Sequence, residues 1–178
     1  MGSTKTIAEG RYLGLYERDD WEFAERTNAE GVVGILALTS QDEVILVEQF
    51  RRPMNAPVIE IPAGLIGDED DHRGESLAET AHRELLEETG YQAESMKLLL
   101  SGPTSPGMTS ETTHLFLATG LQQVSRGGGV GDENIRVHRV PLGHLRTWLS
   151  EQEAKGLLLD FKIHAVLWLA GCHDHGLQ

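Results

Sequence analysis

A short amphipathic helix is the feature that most constrains how this chain folds. Across residues 77–88, apolar side chains recur at intervals of four, which predicts a helix that buries one apolar stripe. Ser76 and Glu79 have the S-x-x-E spacing of a capping box, in which the two residues pair reciprocally through side chain and backbone. Gly90 lies where a left-handed residue ends a helix. The sequence therefore predicts both ends of this helix.

The same helix carries three glutamates that act against its own stability. Glu84, Glu87 and Glu88 are related by i+3 and i+4, so their side chains share one face. Like charges at this spacing destabilise a helix, and anions in its last turn oppose the helix dipole. Clustered carboxylates are ligands that Mg²⁺ and Mn²⁺ prefer. A solvated charged face is the ordinary explanation of such a run, so the surrounding residues must decide.

Those surroundings resemble the Nudix box, E-x7-R-E-U-x-E-E-x-G-U. Glu75, seven further residues and the segment RELLEETGY at 83–91 match every fixed position. Ten residues separate Gly64 from Glu75 where the family has five, and we interpret residues 68–73 as part of an insertion. The resemblance implies an α/β (α+β) fold, an α/β/α sandwich with a mixed sheet and a small N-terminal β extension. It also implies that the helix lies beneath the diphosphate of a substrate.

The resemblance further implies the ligands of a metal cofactor, Mg²⁺ or alternatively Mn²⁺. The ligands are Glu84, Glu87, Glu88 and the backbone carbonyl of Ala63. Arg83 lies one turn before Glu87, where it can pair with that carboxylate and hold it in place. Glu87 and Arg83 are therefore both expected to serve catalysis.

Three further segments resemble the ADP-ribose pyrophosphatase branch of the family. They are SPGMTSE at 105–111, VEQFRR at 47–52 followed by EIPAG at 60–64, and GDENIRVH at 131–138. In that branch a glutamate on the late loop is often the general base, and Glu133 is the matching residue. On its own, the pair at 132–133 is typical of a polar turn. Arg51 matches an arginine that contacts the substrate phosphates, where a planar guanidinium fits well.

Trp21, Glu22 and Arg26 resemble the N-terminal segment of the animal ADP-sugar pyrophosphatases. The resemblance implies that the tryptophan stacks on adenine and that the segment crosses between subunits of a homodimer. Met108 is expected near the sugar. We therefore divide the chain into a β extension at 1–30, which dimerises and binds the base, and a Nudix hydrolase domain at 31–178.

The rest of the chain predicts many strands and few helices. Apolar or β-branched runs between turn residues predict strands at 11–16, 21–26, 31–39, 44–50, 58–61, 97–100, 112–119 and 135–140. Amphipathic runs predict helices at 142–155 and 161–170, and the glycine-rich stretch at 125–131 predicts a loop. This order is typical of a mixed sheet covered by helices.

Charge and cysteine content narrow the possible partners. The formal net charge of −13 argues against nucleic acid and against an anionic membrane surface, because both carry the same sign. No apolar run approaches the roughly 20 residues of a membrane helix. The single cysteine, Cys172, excludes an intrachain disulfide and is in keeping with a cytoplasmic location.

Three functions follow from the resemblance. The first is hydrolysis of ADP-ribose, a nucleoside diphosphate sugar, to AMP and ribose 5-phosphate. The second is a broader hydrolysis of nucleoside diphosphate sugars such as GDP-mannose. The third, a non-catalytic ADP-ribose sensor, is disfavoured because the box glutamates are intact and the net charge opposes DNA binding.

Overall fold

The secondary structure is that of a mixed α/β protein. The computed structural model describes residues 2–68, 70–131 and 133–172. Its strands are β1 (Lys5–Glu9), β2 (Leu13–Arg18), β3 (Trp21–Arg26), β4 (Val32–Leu38), β5 (Glu43–Arg51), β6 (Ala56–Glu60), β7 (Ala63–Leu65), β8 (Tyr91–Gln92), β9 (Ser95–Pro103), β10 (Thr112–Thr119), β11 (Gln122–Gln123), β12 (Arg136–Pro141) and β13 (Leu158–Leu159). Its helices are α1 (Leu77–Thr89), α2 (Leu145–Ala154) and α3 (Lys162–Leu169), with short 3₁₀ turns at Asp70–His72 and Leu142–His144.

The central sheet joins strands from the whole length of the domain. Within the described residues it has eight strands, in the order β13-β6-β5-β4-β10-β9, with β12 paired to β5 and β7 paired to β4. The β4–β10 and β6–β13 pairs are parallel, and the other pairs are antiparallel. The sheet is therefore mixed, as the sequence predicts. A separate short pair is formed by β8 and β11.

Alternation along β4 divides the core between the two faces of this sheet. On one face, Val33 and Ile35 pack in a fully buried cluster with Ala81 and Leu85 of α1. On the other face, Leu36 belongs to a second buried cluster with residues of α2 and α3. Successive strand residues point to opposite faces, so the β-branched and apolar run of β4 needs cover on both sides. The result is a helix–sheet–helix sandwich, and the predicted fold class is confirmed.

Helix α1 begins and ends where the sequence predicts. The Ser76 side chain accepts from the Glu79 amide, and the Glu79 side chain accepts from the Ser76 amide, so the capping box is complete. Gly90 adopts the left-handed conformation with φ of 76°, and its amide donates to the Leu86 carbonyl. The predicted helix ends at Glu88 and the observed one at Thr89. None of the described helices is long and apolar enough to cross a membrane.

The first three strands form a sheet of their own beside the main domain. Their order is β1-β2-β3, and every residue of β1 is exposed. The sequence predicts β2 and β3 but not β1, because only two of its five residues, Thr6 and Ile7, are β-branched, which is too short a run to indicate a strand. This sheet contacts the domain at β3, where the amide of Ala24 donates to the Met108 carbonyl at 2.9 Å and Ser110 donates back to Ala24 at 3.2 Å.

Candidate active site

A single cleft gathers most of the residues that the sequence selects. Its volume is about 710 Å³, and it lies between the acidic face of α1, the end of β5, the strand β7 and the glycine-rich loop. Its walls include, among the predicted residues, Arg26, Arg51, Ala63, Arg83, Glu84, Glu87, Glu88 and Glu133. Trp21, Glu22 and Met108 do not line it.

Arg83 organises the acidic face of α1. Its Nη1 lies 2.8 Å from Glu84 Oε1 and 3.2 Å from Glu87 Oε2, while its Nε lies 3.2 Å from Glu75 Oε2. One guanidinium thus offsets the repulsion among three carboxylates, two of which are predicted metal ligands. The predicted i, i+4 pair of Arg83 with Glu87 is present, and the structure adds two partners that spacing alone does not reveal.

Glu88 is the most deeply buried of the three predicted carboxylate ligands. Only 5% of its surface is exposed. Its Oε2 accepts a hydrogen bond from the backbone amide of Ala63 at 3.0 Å, which ties the helix to β7. A Cβ at Gly64 would lie 1.8 Å from the Glu84 Cδ. Glycine at position 64 therefore leaves the space in which the Glu84 carboxylate lies against the backbone of β7.

Burial makes two of these carboxyls reluctant to ionise. It raises the pKa of Glu84 to about 7, although the Arg83 charge acts in the opposite direction. It raises the pKa of Glu88 to about 8, against the hydrogen bond from Ala63. Arg51 is close enough for its charge to favour the Glu88 carboxylate, and Glu84 is close enough to disfavour it. Grouped carboxyls with raised pKa values in a cleft are typical of a functional site.

The residues present fit a hard divalent cation. Three carboxylates and the Ala63 backbone supply oxygen donors only, the type that Mg²⁺ and Mn²⁺ bind, and all four residues line one cleft. In the part of the chain that the structure describes, no three acidic, histidine or cysteine side chains converge on one point. The reason is that Arg83 holds Glu84 and Glu87, and the Ala63 amide holds Glu88. Ligation of one ion therefore requires these side chains to turn away from their present partners.

Arg51 enters the cleft from the end of β5. Its Nε donates to Glu60 Oε2 at 2.8 Å. Glu60, at the end of β6, is only 8% exposed. Arg51 therefore lies in the cleft that holds the predicted metal ligands, whereas Glu60 is not among the predicted functional residues. Glu60 stands in the EIPAG segment, which is the signal that could have drawn attention to it.

The glycine-rich loop is anchored to the C-terminal end of α1. The amides of Gly128 and Gly129 donate to the carbonyls of Glu88 and Glu87, at 2.8 and 3.0 Å. These bonds satisfy carbonyls that the end of a helix leaves without a partner. At Gly127, where φ is 63°, a Cβ would lie 2.3 Å from the carbonyl carbon of Thr89. The glycines thus permit a close backbone contact as well as a turn.

That loop brings Glu133 to the edge of the cleft. Glu133 lines the cleft together with Val130 and Gly131. Its Oε2 accepts from the Val130 amide at 3.0 Å, so the side chain folds back onto its own loop. The residue is close enough to α1 for its charge to disfavour ionisation of Glu88. The structure therefore brings the predicted base to the side of the predicted metal ligands.

Three of the predicted substrate-binding residues, Trp21, Glu22 and Met108, lie on the outer surface beside the cleft. Trp21 is 63% exposed, and its Nε1 donates to the Gly107 carbonyl at 3.1 Å. Met108, the next residue, is 62% exposed. Arg26 lines the cleft itself, and its Nε lies 2.7 Å from Glu111 Oε2. The exposed ring excludes a core role for Trp21, and Glu22 is exposed on the same strand.

The insertion before α1 contributes residues that sequence analysis cannot place. Asp68 and His72 line the cleft near the box glutamates, and His72 ends the 3₁₀ turn within the insertion. Of the predicted insertion, Glu69 lies outside the described residues. The only sequence signal for this wall of the cleft is the additional length between Gly64 and Glu75.

The fold and the acidic cleft define a class of hydrolase, and comparison with known proteins agrees. The family model of the NUDIX domain matches residues 29–164. A solved structure described as an ADP compounds hydrolase superposes with a TM-score of 0.72, covering 94% of this chain and 89% of that one, at 22% identity, which supports the fold. This chain belongs to the Nudix family and is a Nudix hydrolase.

Two bacterial relatives are similar over most of the chain. The methanol dehydrogenase activator of Bacillus methanolicus is 36% identical over 157 residues, which are 84% of this chain and 82% of the relative. The ADP-ribose pyrophosphatase of Bacillus subtilis is 39% identical over 128 residues, 66% of each chain. The predicted membership of the family is confirmed.

Proposed function

We propose that this Nudix hydrolase cleaves the diphosphate linkage of ADP-ribose, giving AMP and ribose 5-phosphate, with Mg²⁺ or alternatively Mn²⁺ as cofactor. The observation that carries the proposal is the cleft in which Glu84, Glu87 and Glu88 lie with Arg51 and Glu133. These are the groups that hydrolysis of a diphosphate needs: ligands for a cation, a guanidinium for phosphate oxygens and a carboxylate for a proton.

The carboxylates of α1, with the Ala63 carbonyl, would hold the metal. When bound, the cation neutralises the diphosphate oxygens and lowers the pKa of a water molecule. Arg83 pairs with Glu84 and Glu87 and offsets their mutual repulsion, and both carboxylates would leave it to bind the cation. Arg51 lines the same cleft, and its guanidinium binds the phosphate oxygens and orients the phosphorus.

Glu133 takes the proton in this proposal. The water oxygen attacks one phosphorus, and the bond from that phosphorus to the bridging oxygen breaks. The bridging oxygen leaves with the other phosphate, and the proton of the water passes to the Glu133 carboxylate. For this step the side chain gives up its bond to the Val130 amide and turns into the cleft.

The exposed ring of Trp21 supports an aromatic base as part of the substrate. Stacking of a base on an aromatic side chain contributes about 1–3 kcal/mol and tolerates every base, since each has a π-face. Adenine is supported by the similarity to the ADP-ribose pyrophosphatase of Bacillus subtilis. The base tolerance of stacking supports the second candidate, a broader hydrolase of nucleoside diphosphate sugars such as GDP-mannose.

We also propose a homodimer that uses the N-terminal sheet. Its exposed apolar side chains include Ile7, Leu13 and Leu15, which are 41, 56 and 38% exposed, and a second subunit would bury them. Sedimentation velocity would test this: a dimer is expected, and a monomer at micromolar concentration would contradict it. The single cysteine supports a cytoplasmic location, which cell fractionation would test.

A substrate panel tests the proposed function. ADP-ribose, GDP-mannose and NADH are each incubated with the protein and a phosphatase, with Mg²⁺ or with EDTA, and phosphate release is measured. ADP-ribose is expected to have the highest kcat/KM, and EDTA is expected to abolish release. Comparable kcat/KM values for several nucleoside diphosphate sugars would favour the second candidate, the broader hydrolase. Binding of ADP-ribose without turnover would favour a sensor and contradict the proposal.

A further inference from the structure

The ion pair of Glu60 with Arg51 lies at the boundary between the catalytic cleft and a second groove. Arg51 lines both, whereas Glu60 lines only the groove on the other side of the pair, together with Met54, Val58 and Phe161. The Glu60 side chain is 11% exposed, and the Arg51 side chain is 40% exposed. Glu60 is thus the more buried partner, and Arg51 is the partner that lines the catalytic cleft.

The geometry of the pair leaves the terminal nitrogens of Arg51, Nη1 and Nη2, available to donate to a ligand. The bond to Glu60 uses Nε, at 2.8 Å from Oε2. Nη1 and Nη2 have no hydrogen bond to any residue within 2–68, 70–131 and 133–172. A guanidinium has five N–H donors in a rigid fork, so holding Nε fixes the plane in which the other four donors lie. Those four N–H groups can donate hydrogen bonds to two neighbouring phosphate oxygens.

Glu60 is itself held by the strand behind it. Ile59, its neighbour, pairs with Leu159 of β13, and the Ile59 carbonyl accepts from the Asp160 amide at 2.9 Å. Asp160 forms an ion pair with Lys162. The charges that act on Glu60 from neighbouring elements are therefore Arg51, Asp160 and Lys162. Because its backbone lies in a paired strand and its side chain is 11% exposed, the Glu60 carboxylate can define the position of the longer and more flexible arginine.

We propose that Glu60 is a positioning residue: it fixes the Arg51 guanidinium in the orientation that binds the substrate diphosphate. The inference rests on the proposed function, since it assigns Arg51 to the diphosphate. It predicts that Glu60 acts only through Arg51, which separates it from a carboxylate that merely stabilises the sheet.

A double-mutant cycle tests this dependence. Glu60→Gln keeps the shape but removes the charge, and Glu60→Asp keeps the charge but withdraws it by one methylene. Each is expected to lower kcat/KM for ADP-ribose by roughly 10- to 100-fold, as does loss of a residue that orients a ligand. Most of this loss is expected in KM, because Arg51 holds the ground state as well as the transition state. In an Arg51→Ala background, Glu60→Gln is expected to change kcat/KM less than about twofold.

Glu43→Gln provides the matched control. Glu43 pairs with Arg139 at 2.5 Å and its side chain is 19% exposed, but neither residue lines the cleft. The Glu43→Gln variant is expected to shift Tm about as much as Glu60→Gln does, but to leave KM unchanged. Mn²⁺ affinity, followed by electron paramagnetic resonance, is expected to stay constant in the Glu60 variants and in Glu43→Gln.

The cycle is repeated with calorimetric binding of ADP in the presence of Mg²⁺, so that it does not depend on turnover. The inference would be supported if Glu60→Gln weakened ADP binding in the native background but not in the Arg51→Ala background. This result would hold even if ADP-ribose were not hydrolysed and the proposed function failed. Equal effects of Glu60→Gln with and without Arg51, or no effect of either Glu60 variant, would overturn it while leaving hydrolysis intact.

Discussion

The two sides of the substrate region differ in how firmly they are held. On one side, Glu88 is 5% exposed and is bonded to the backbone of β7. On the other, Trp21 is 63% exposed, and one hydrogen bond to Gly107 holds its ring. The first belongs to a capped helix packed on the sheet, and the second to a small sheet at the surface.

This difference separates chemistry from recognition. Groups that act on the diphosphate must keep their spacing, and burial with many partners provides it. A surface that binds a base must present an accessible ring, and exposure provides that. Changes on the α1 side should therefore reduce kcat, and changes on the N-terminal side should raise KM.

The largest effect is expected at Glu88. Glu88→Gln removes one anionic oxygen with little change of volume, so kcat should fall by roughly 10³-fold, as when one electrostatic group of an active site is lost, while folding is retained. Steady-state kinetics with circular dichroism checks this. The control is Glu151→Gln, an exposed acid on α2. Near-normal turnover at saturating Mg²⁺ would contradict the assignment of Glu88 as a metal ligand.

Replacement of the proposed base should separate proton transfer from metal binding. Glu133→Gln is expected to lower kcat by roughly 10²-fold, a usual contribution of general-base catalysis, with Mn²⁺ affinity unchanged. Rapid kinetics and a metal titration measure the two quantities. If the variant chiefly weakened metal affinity, Glu133 would be a ligand instead of a base.

Metal affinity should rise with pH. Burial raises the pKa of Glu84 to about 7 and that of Glu88 to about 8. Both carboxyls therefore carry protons at pH 6, and these must leave before a cation is bound. Because both protons must leave, the affinity for Mn²⁺ is expected to increase by roughly 500-fold between pH 6 and pH 8. An affinity that is constant over this range would show that the two carboxyls do not bind the metal.

The anchorage of the glycine-rich loop can be tested with two substitutions of the same kind. Gly127 and Gly131 have φ values of 63° and 60°, but a Cβ meets backbone atoms only at Gly127. Gly127→Ala is expected to lower the free energy of unfolding by about 3 kcal/mol, and Gly131→Ala by about 1–2 kcal/mol, the cost of the left-handed conformation alone. Urea unfolding measures both. Equal losses of unfolding free energy in the two variants would mean that the close contact of Gly127 with Thr89 of α1 does not contribute to stability.

The smallest effect is expected on the N-terminal side. Trp21→Ala should raise KM for ADP-ribose by roughly tenfold through lost stacking, with kcat almost unchanged. Trp168→Ala is the matched control, because Trp168 is 64% exposed on α3 and does not line the cleft. A fall in kcat without a change in KM would show that Trp21 acts in the chemical step, and the two regions would then not differ in function.

Short-range signals explain which parts were predictable. The capping box and Gly90 act within α1 itself, so its limits, its acidic face and the Arg83–Glu87 pair followed from the sequence. Strands β4 and β10 were predicted from their apolar runs, since buried strands have a strong local pattern. Strand β1 was missed because its five residues are all exposed and only two of them are β-branched, and β7 because three residues around Gly64 carry too little pattern.

Long-range contacts explain what could not be predicted. Arg51 and Glu60 lie on different strands, and their meeting depends on the register of β5 with β6. Asp68 and His72 reach the cleft through an insertion whose course has no local signature. The contact of Gly127 with Thr89 likewise joins two segments that are far apart in sequence, so glycine content alone indicated only a loop.

The central claim is that the acidic face of α1 holds the metal at the substrate diphosphate. Crystals grown with Mn²⁺ and α,β-methylene ADP-ribose, a non-hydrolysable analogue, allow the metal to be located by anomalous diffraction. We expect a peak bound by carboxylate oxygens of Glu84 and Glu88 and by the diphosphate, at about 2.1 Å, close to the distance typical of Mg²⁺. A peak held elsewhere, or a diphosphate bound away from α1, would contradict it.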